Sequence, residues 1–195
     1  MNEPLPATLL AAVAAVTDWL LSTSIPGVIV GGVAASLLGR PRLTRDVDAL
    51  VDLSDDRWSD ALAAAANFHL EPRIDDALGF ARRSRVLLLR HSPSQIDVDV
   101  ILSGLPFERD AIASGVSRPV GGIAIRLPRV EDLMIMKAIA HRPRDLMDLE
   151  GLLRTSPGAD LERVRRWVRE FSIAATLPEL IDDLDRLIAR TRDGP

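Results

Sequence analysis

Two apolar runs in this chain carry aspartates at alternate positions: DVDALVD at 46–52 and QIDVDVIL at 95–102. Both read as strands, and residues two apart on a strand point the same way, about 7 Å apart along it. Asp46 and Asp48 therefore share one face while Val47, Ala49 and Val51 take the other. In the second run Ile96, Val98, Val100 and Leu102 line one face and Asp97 and Asp99 the opposite one. If the two strands are neighbours, three or four carboxylates converge on one patch. Unpaired carboxylates in an apolar setting are unfavourable, so the patch needs a cation. Magnesium suits it, because it takes oxygen ligands and keeps positions open for water and phosphate. Two such ions could clamp an in-line displacement at phosphorus. An ordinary half-solvated sheet gives the same alternation, so the pattern alone leaves both readings open.

The 195 residues suffice for one compact domain or a domain with a helical appendage. Aromatic residues are only 4%, so aliphatic side chains must fill the core. The chain has no cysteine, which excludes disulfides, zinc–thiolate sites and thiol nucleophiles. A formal net charge of −4 argues against a nonspecific duplex-binding module with a basic face. The amino-terminal run MNEPLPATLLAAVAAVTDWLL has an acidic Glu3 near its start and is interrupted by Asp18 and Trp19. It reads as an amphipathic first helix of a soluble cytoplasmic protein, with no secretory signal and no membrane partner.

Periodicity predicts a helix over 6–22, a buried strand over 27–32, a short helix over 32–38 and a loop over 39–45 containing Pro41. A strand over 46–52 and a helix over 55–66, capped by Ser54 or Asp55, follow. VLLLRH and QIDVDVIL are expected to form a hairpin across Ser92–Ser94, followed by a short helix in FERDAIASG and a strand in GGIAIRL. After Pro128 come four successive helical patterns. The expected organisation is a mixed α and β part at 1–128 followed by a helical part at 129–195.

Gly31 and Gly32 end a strand and open a helix, where backbone amides and the helix terminus can meet a phosphate. No Gly-Lys-Ser/Thr follows, so this is not a Walker loop. Glycine for close helix–strand packing explains the pair equally well. The order as a whole is more distinctive: strand, Gly-Gly, short helix with Ser36, Gly-Arg-Pro-Arg-x-Thr, Asp-x-Asp strand, and a later aspartate on a strand. It resembles the nucleotidyltransferase fold of the polymerase-β superfamily and, more narrowly, the small bacterial proteins of the AbiEii type, which include nucleotidyltransferase toxins. The segments LPFERDAIASG and LPRVEDLMIMKAIAHRPRDLMDLEGLL are similar to later parts of that family, so the resemblance spans roughly residues 25–155.

The resemblance implies an α+β nucleotidyltransferase fold, a small mixed β-sheet flanked by helices, followed by a C-terminal helical bundle. It implies a Mg²⁺-dependent transfer of a nucleoside monophosphate from a nucleoside triphosphate to an acceptor. The acceptor would be RNA such as a transfer-RNA end, and the context a toxin–antitoxin or phage-defence pair with a cognate antitoxin protein. The alternatives are a protein or small-molecule acceptor such as an antibiotic, or a silent nucleotide- or partner-binding protein on the same fold. Asp46, Asp48 and Asp99 would be the catalytic and metal-binding residues, with Asp97 the alternative for the third. Gly31, Gly32 and Ser36 would hold the nucleotide phosphates. Thr44 matches the family's Arg-x-Thr-x-Asp-x-Asp and would orient the carboxylates, and Arg42 would bind substrate, meeting the phosphates or the acceptor. Gly-Gly stands where the family often has Gly-Ser, so a hydroxyl is lost there or supplied by Ser36.

Lys137 is the only lysine, while arginine serves everywhere else. A surface lysine could as well be arginine, whereas a compact ammonium on a phosphate resists that exchange. The resemblance gives Lys137 to the triphosphate and places Arg142, Asp145 and Asp148 near the site. Arg142 can reach Asp145 and Arg144 can reach Asp148 along one helix. Arg163, Arg165, Arg166 and Arg169 surround Trp167, which reads as a solvated helix face before it reads as an RNA patch. His141 reads as structural, and His69 and His91 lack metal-ligand spacing.

Overall fold

The computed structural model describes residues 5–193; Glu3, on which the reading of the amino terminus partly rests, lies outside them. The chain divides into two compact units. The first runs up to Val33 and includes Leu43–Pro128; the second comprises Ala34–Arg42 and the chain from Arg129 onward.

The first unit is built on a five-stranded sheet. Its strands are β1 (Gly27–Val30), β2 (Asp46–Val51), β3 (Leu70–Pro72), β4 (Val86–His91) and β5 (Ile96–Leu102), in the order β1-β2-β5-β4-β3. Only the β2–β5 pairing is parallel; the others are antiparallel, so the sheet is mixed. The apolar face read from the sequence is the buried one: Val47, Ala49, Val98 and Val100 are fully enclosed. The first helix, α1 (Ala7–Ser22), buries Leu9, Ala12, Val13, Val16, Trp19 and Leu20, a stripe at helical spacing. The Trp19 indole N–H donates to the Ala61 carbonyl at 3.0 Å, which satisfies the one polar group that side chain brings inside.

The helix expected over 55–66 is α3 (Trp58–Ala65) between two short 3-10 turns. Ser54 precedes the first turn, but its side chain makes no cap hydrogen bond. Three elements go beyond the sequence reading. They are the edge strand β3, helix α4 (Ala77–Ser84) and the first strand of a separate ribbon, β6 (Val116–Val120), paired with β7 (Ile123–Leu127). Gly121 and Gly122 turn this ribbon, both at positive φ, as a two-residue hairpin demands. The expected strand over 121–127 therefore starts two residues later, because its glycines are the turn. Helix α5 (Pro106–Ala113) lies between β5 and β6 in the chain.

The helix between β1 and β2 is α2 (Gly31–Leu38), which begins in the first unit and continues into the second. The rest of the second unit is α6 (Val130–Ala140), α7 (Pro143–Thr155), α8 (Leu161–Ala175) and α9 (Glu179–Asp193). Helix α6 packs against the other three and is buried nearly all round, with Leu133, Met134, Ile135 and Ala138 enclosed. His141 ends α6 in the left-handed region and Pro143 opens α7, so the two helices turn within two residues. No described helix is long and apolar enough to cross a membrane.

Candidate active site

Strands β2 and β5 run side by side and in register, with Asp46 opposite Asp97 and Asp48 opposite Asp99. Partners in a parallel pair face the same way, so four carboxylates stand on one face of two adjacent strands. The alternate positions of both strands are buried, which fixes the register; a slip of one residue would drive the aspartates into the core.

Each carboxylate has its own surroundings. The Thr44 hydroxyl, itself buried, donates to Asp46 Oδ1 at 2.8 Å and orients it. Asp48 lies opposite Val30, the last residue of β1, and its carboxylate fills the space beside Gly31. A Cβ on Gly31 would come within 1.7 Å of Asp48 Oδ2, and the backbone there has a φ of +60°. Glycine is thus required twice, for conformation and for room. Asp97 accepts from Arg90 Nε at 2.7 Å and from Arg73 Nη1 at 2.8 Å. Asp99 accepts from Arg73 Nη2. Burial pushes the Asp99 carboxyl above its ordinary range; Arg73 opposes this, and the charges of Asp46 and Asp97 add to it.

Arg73 is the residue that the sequence reading missed. It follows the three-residue strand β3, and nothing in RIDDALGF marks it. Its Nε is buried and has no hydrogen-bond partner. Such a buried, unanswered N–H costs about 1–3 kcal/mol.

Among the described residues no three His, Asp or Glu side chains are arranged as a ready metal shell. The donor set nonetheless fits a hard divalent cation: the ligands are all oxygen, and Arg73 does not fully offset what burial and the neighbouring carboxylates do to Asp99.

The second unit holds its own charged cluster. Lys137, which a surface reading would leave in water, is only 5% exposed. Its Nζ donates to Asp145 Oδ1 at 3.0 Å and stands 2.8 Å from Asp148 Oδ2. Arg142 Nε donates to Asp145 Oδ2 at 2.5 Å, as its spacing suggested. Asp148 pairs not with Arg144 but with Arg42, through two hydrogen bonds of 2.6 and 2.9 Å. Burial would raise both carboxyls. Hydrogen bonds and charge from Arg142 and Lys137 outweigh it at Asp145, and those from Arg42 and Lys137 do so at Asp148, so both lie below the ordinary range. The Ser36 hydroxyl donates to the Arg42 carbonyl at 3.1 Å and accepts from its N–H at 3.4 Å. Ser36 is 5% exposed, so it fastens the loop that carries Arg42 rather than presenting a free hydroxyl.

On the helix face around Trp167, Arg166 and Arg169 are exposed, while the other named groups have partners within the unit. Arg163 pairs with the fully buried Asp132, Arg165 with Asp185 and Glu162, and Trp167 meets Phe171 at 6.1 Å between ring centroids. His141 Nε2 lies 2.9 Å from Asp183.

Residues 25–193 match the family described as nucleotidyl transferase AbiEii toxin, type IV toxin–antitoxin system. No curated protein sequence matches. Two solved structures share the fold. One is the solution structure of the antibiotic-resistance factor ANT(2'')-Ia, with a TM-score of 0.61 and 14% identity over 89% of this chain and 97% of that one. The other is the crystal structure of an antigenic nucleotidyltransferase-like protein from Paracoccidioides brasiliensis, with a TM-score of 0.55 and 16% identity over 94% of this chain and 95% of that one.

Proposed function

This chain belongs to the AbiEii family of nucleotidyltransferase toxins, and on that premise we propose that it moves a nucleoside monophosphate from a nucleoside triphosphate onto an RNA acceptor such as a transfer-RNA end. The observation that carries this reading is the carboxylate face: Asp46, Asp48 and Asp99 on two in-register parallel strands, beside a glycine that leaves room for nothing else. Asp46, Asp48 and Asp99 would hold Mg²⁺. Bound there, the metal would neutralise phosphate charge and polarise the attacking hydroxyl. Asp97 is the weaker candidate for the third ligand, because Arg90 and Arg73 both engage it.

The chain's own groups have separate tasks. The Gly31 and Gly32 amides at the start of α2 would receive phosphate oxygens. Thr44 holds Asp46 in one orientation and so fixes where its oxygens point. In the second unit, Arg42 and Arg142 keep part of their side chains in solvent while paired with their aspartates, and each would meet a substrate phosphate with that solvent-facing edge. Buried Lys137 would act through Asp145 and Asp148, keeping them charged so that they hold those arginines. Positioning and charge neutralisation would supply most of the rate. A cognate antitoxin protein is the expected partner.

The test is calorimetric binding of each nucleoside triphosphate, with and without Mg²⁺, to the wild type and to the Asp46→Ala/Asp48→Ala protein, followed by labelled transfer onto a transfer-RNA pool. Metal-dependent binding that disappears in the variant, with label on RNA, supports the reading. Binding indifferent to Mg²⁺ and to the substitutions refutes it.

A further inference from the structure

Two arginine side chains, Arg73 and Arg90, touch the carboxylate face. Arg73 reaches Asp97 with Nη1 and Asp99 with Nη2. Its seat is incomplete. A guanidinium carries five N–H donors, and the buried Nε–H here has no acceptor. Asp97 does not depend on Arg73, because Arg90 on the neighbouring strand, directly opposite in register, also holds it through Nε at 2.7 Å. For Asp99, Arg73 is the arginine that engages it, and its surroundings include the charges of Asp46 and Asp97. The two hydrogen bonds of Arg73 are therefore unequal. Release from Asp99 leaves Asp97 paired, and lets the stranded Nε–H find water.

We propose that Arg73 is a resident counter-cation that occupies the Asp99 carboxylate in the metal-free protein and is displaced from it when a divalent cation binds Asp46, Asp48 and Asp99. This rests on the reading that those three aspartates hold the metal. Arg73 and the metal compete for the same oxygens, so metal affinity is lowered by the strength of the Arg73–Asp99 pair. Asp97 and Arg90 remain paired throughout and act as the hinge post from which the Arg73 guanidinium turns away. Without metal, Arg73 supplies one positive charge where the ion would supply two, which keeps four carboxylates on one sheet face compatible with folding.

The experiment is a calorimetric titration of Mn²⁺ alone, without nucleotide, into the wild type, Arg73→Gln and Asp48→Asn proteins. Taking one charge-assisted hydrogen bond out of the competing state is expected to tighten Mn²⁺ binding to R73Q on the order of tenfold. Asp48→Asn should abolish or greatly weaken it. In parallel, the arginine Nε–H resonances of the ¹⁵N-labelled wild type are followed during Mg²⁺ titration. The Arg73 signal, assigned by its absence in R73Q, should move from a protected to a rapidly exchanging one, while that of Arg90 stays in place. This readout is made on the wild type and needs R73Q only for the assignment. Mn²⁺ binding that is abolished in D48N but equal or weaker in R73Q, with an unmoved Arg73 resonance, overturns the inference and leaves the metal-site reading standing. No Mn²⁺ binding to either the wild type or R73Q refutes the metal-site reading, and this inference with it.

Discussion

Replacing Gly31 with alanine tests the tightest piece of geometry on the carboxylate face. The new methyl meets two obstacles. At a φ of +60° an L residue is strained by about 1–2 kcal/mol. It also lands 1.7 Å from Asp48 Oδ2 and 2.5 Å from Asp48 Cγ, so the Asp48 side chain must leave its well, at about 0.5–1.5 kcal/mol. Together the loss of stability is about 1.5–3.5 kcal/mol. The two parts separate in a double-mutant cycle with Asp48→Gly, which removes the whole obstructing side chain. In that background G31A should keep only the backbone part, about 1–2 kcal/mol, leaving a coupling of about 0.5–1.5 kcal/mol. Urea unfolding of the four proteins at equal slope measures this. Nucleotide transfer by folded G31A should fall as well, since Asp48 is displaced. A G31A penalty below about 1 kcal/mol, or an equal penalty in both backgrounds, would show that Gly31 and Asp48 are not packed against each other.

Three further outcomes follow from the charged groups. Lys137→Met leaves two buried aspartates with one arginine each, removes a charge-assisted hydrogen bond, and should destabilise the protein by about 1.5–3 kcal/mol in urea unfolding. Asp145 and Asp148 have folded-state carboxyls below their unfolded range, so the unfolded chain binds more protons in acid. The stability they confer is complete above about pH 4 and lost as pH falls through their folded values; thermal melts should show this slope, and it should flatten in Asp145→Asn/Asp148→Asn. Asp99 is shifted the other way, so at neutral pH its charge works against the fold. Asp99→Asn should raise the melting temperature while abolishing transfer, and a lower melting temperature would contradict that assignment.

The strand faces were legible in the sequence because their period is two and their apolar partners are aliphatic throughout. The helical second half followed from the change of period at Pro128, whereas the α+β class came from the family resemblance and not from the period. Register was not legible: that Asp48 stands opposite Asp99, and Asp46 opposite Asp97, depends on β2 and β5 being parallel neighbours. Strand β6, VSRPV, escaped because most of its residues are exposed and Pro119 interrupts it, so it shows no burial alternation. Lys137 carried a signal that points inward, since LMIMKAIA surrounds it with apolar residues, but the exchange argument for arginine drew attention to its chemistry instead. The resemblance placed its two aspartates nearby, and helix spacing gave the Arg142–Asp145 pair but the wrong arginine for Asp148. Arg42, which completes the cluster, lies 106 residues from Asp148, and no local pattern joins them. Arg73 was invisible for the same reason: it reaches Asp97 and Asp99 from 24 and 26 residues away.

The segment Ala34–Arg42 gives the chain three crossings between its units, at 33/34, 42/43 and 128/129. Synthesis proceeds in one direction, so Arg42 leaves the ribosome long before Asp148 exists to receive it. At roughly 5–20 residues per second the delay is on the order of ten seconds. Through that interval the Ala34–Leu38 end of α2 and the loop that carries Arg42 have no finished unit to join. The second unit is therefore complete only once its carboxy-terminal helices are made, and a chain cut short after Pro128 would carry Ala34–Arg42 without the rest of that unit.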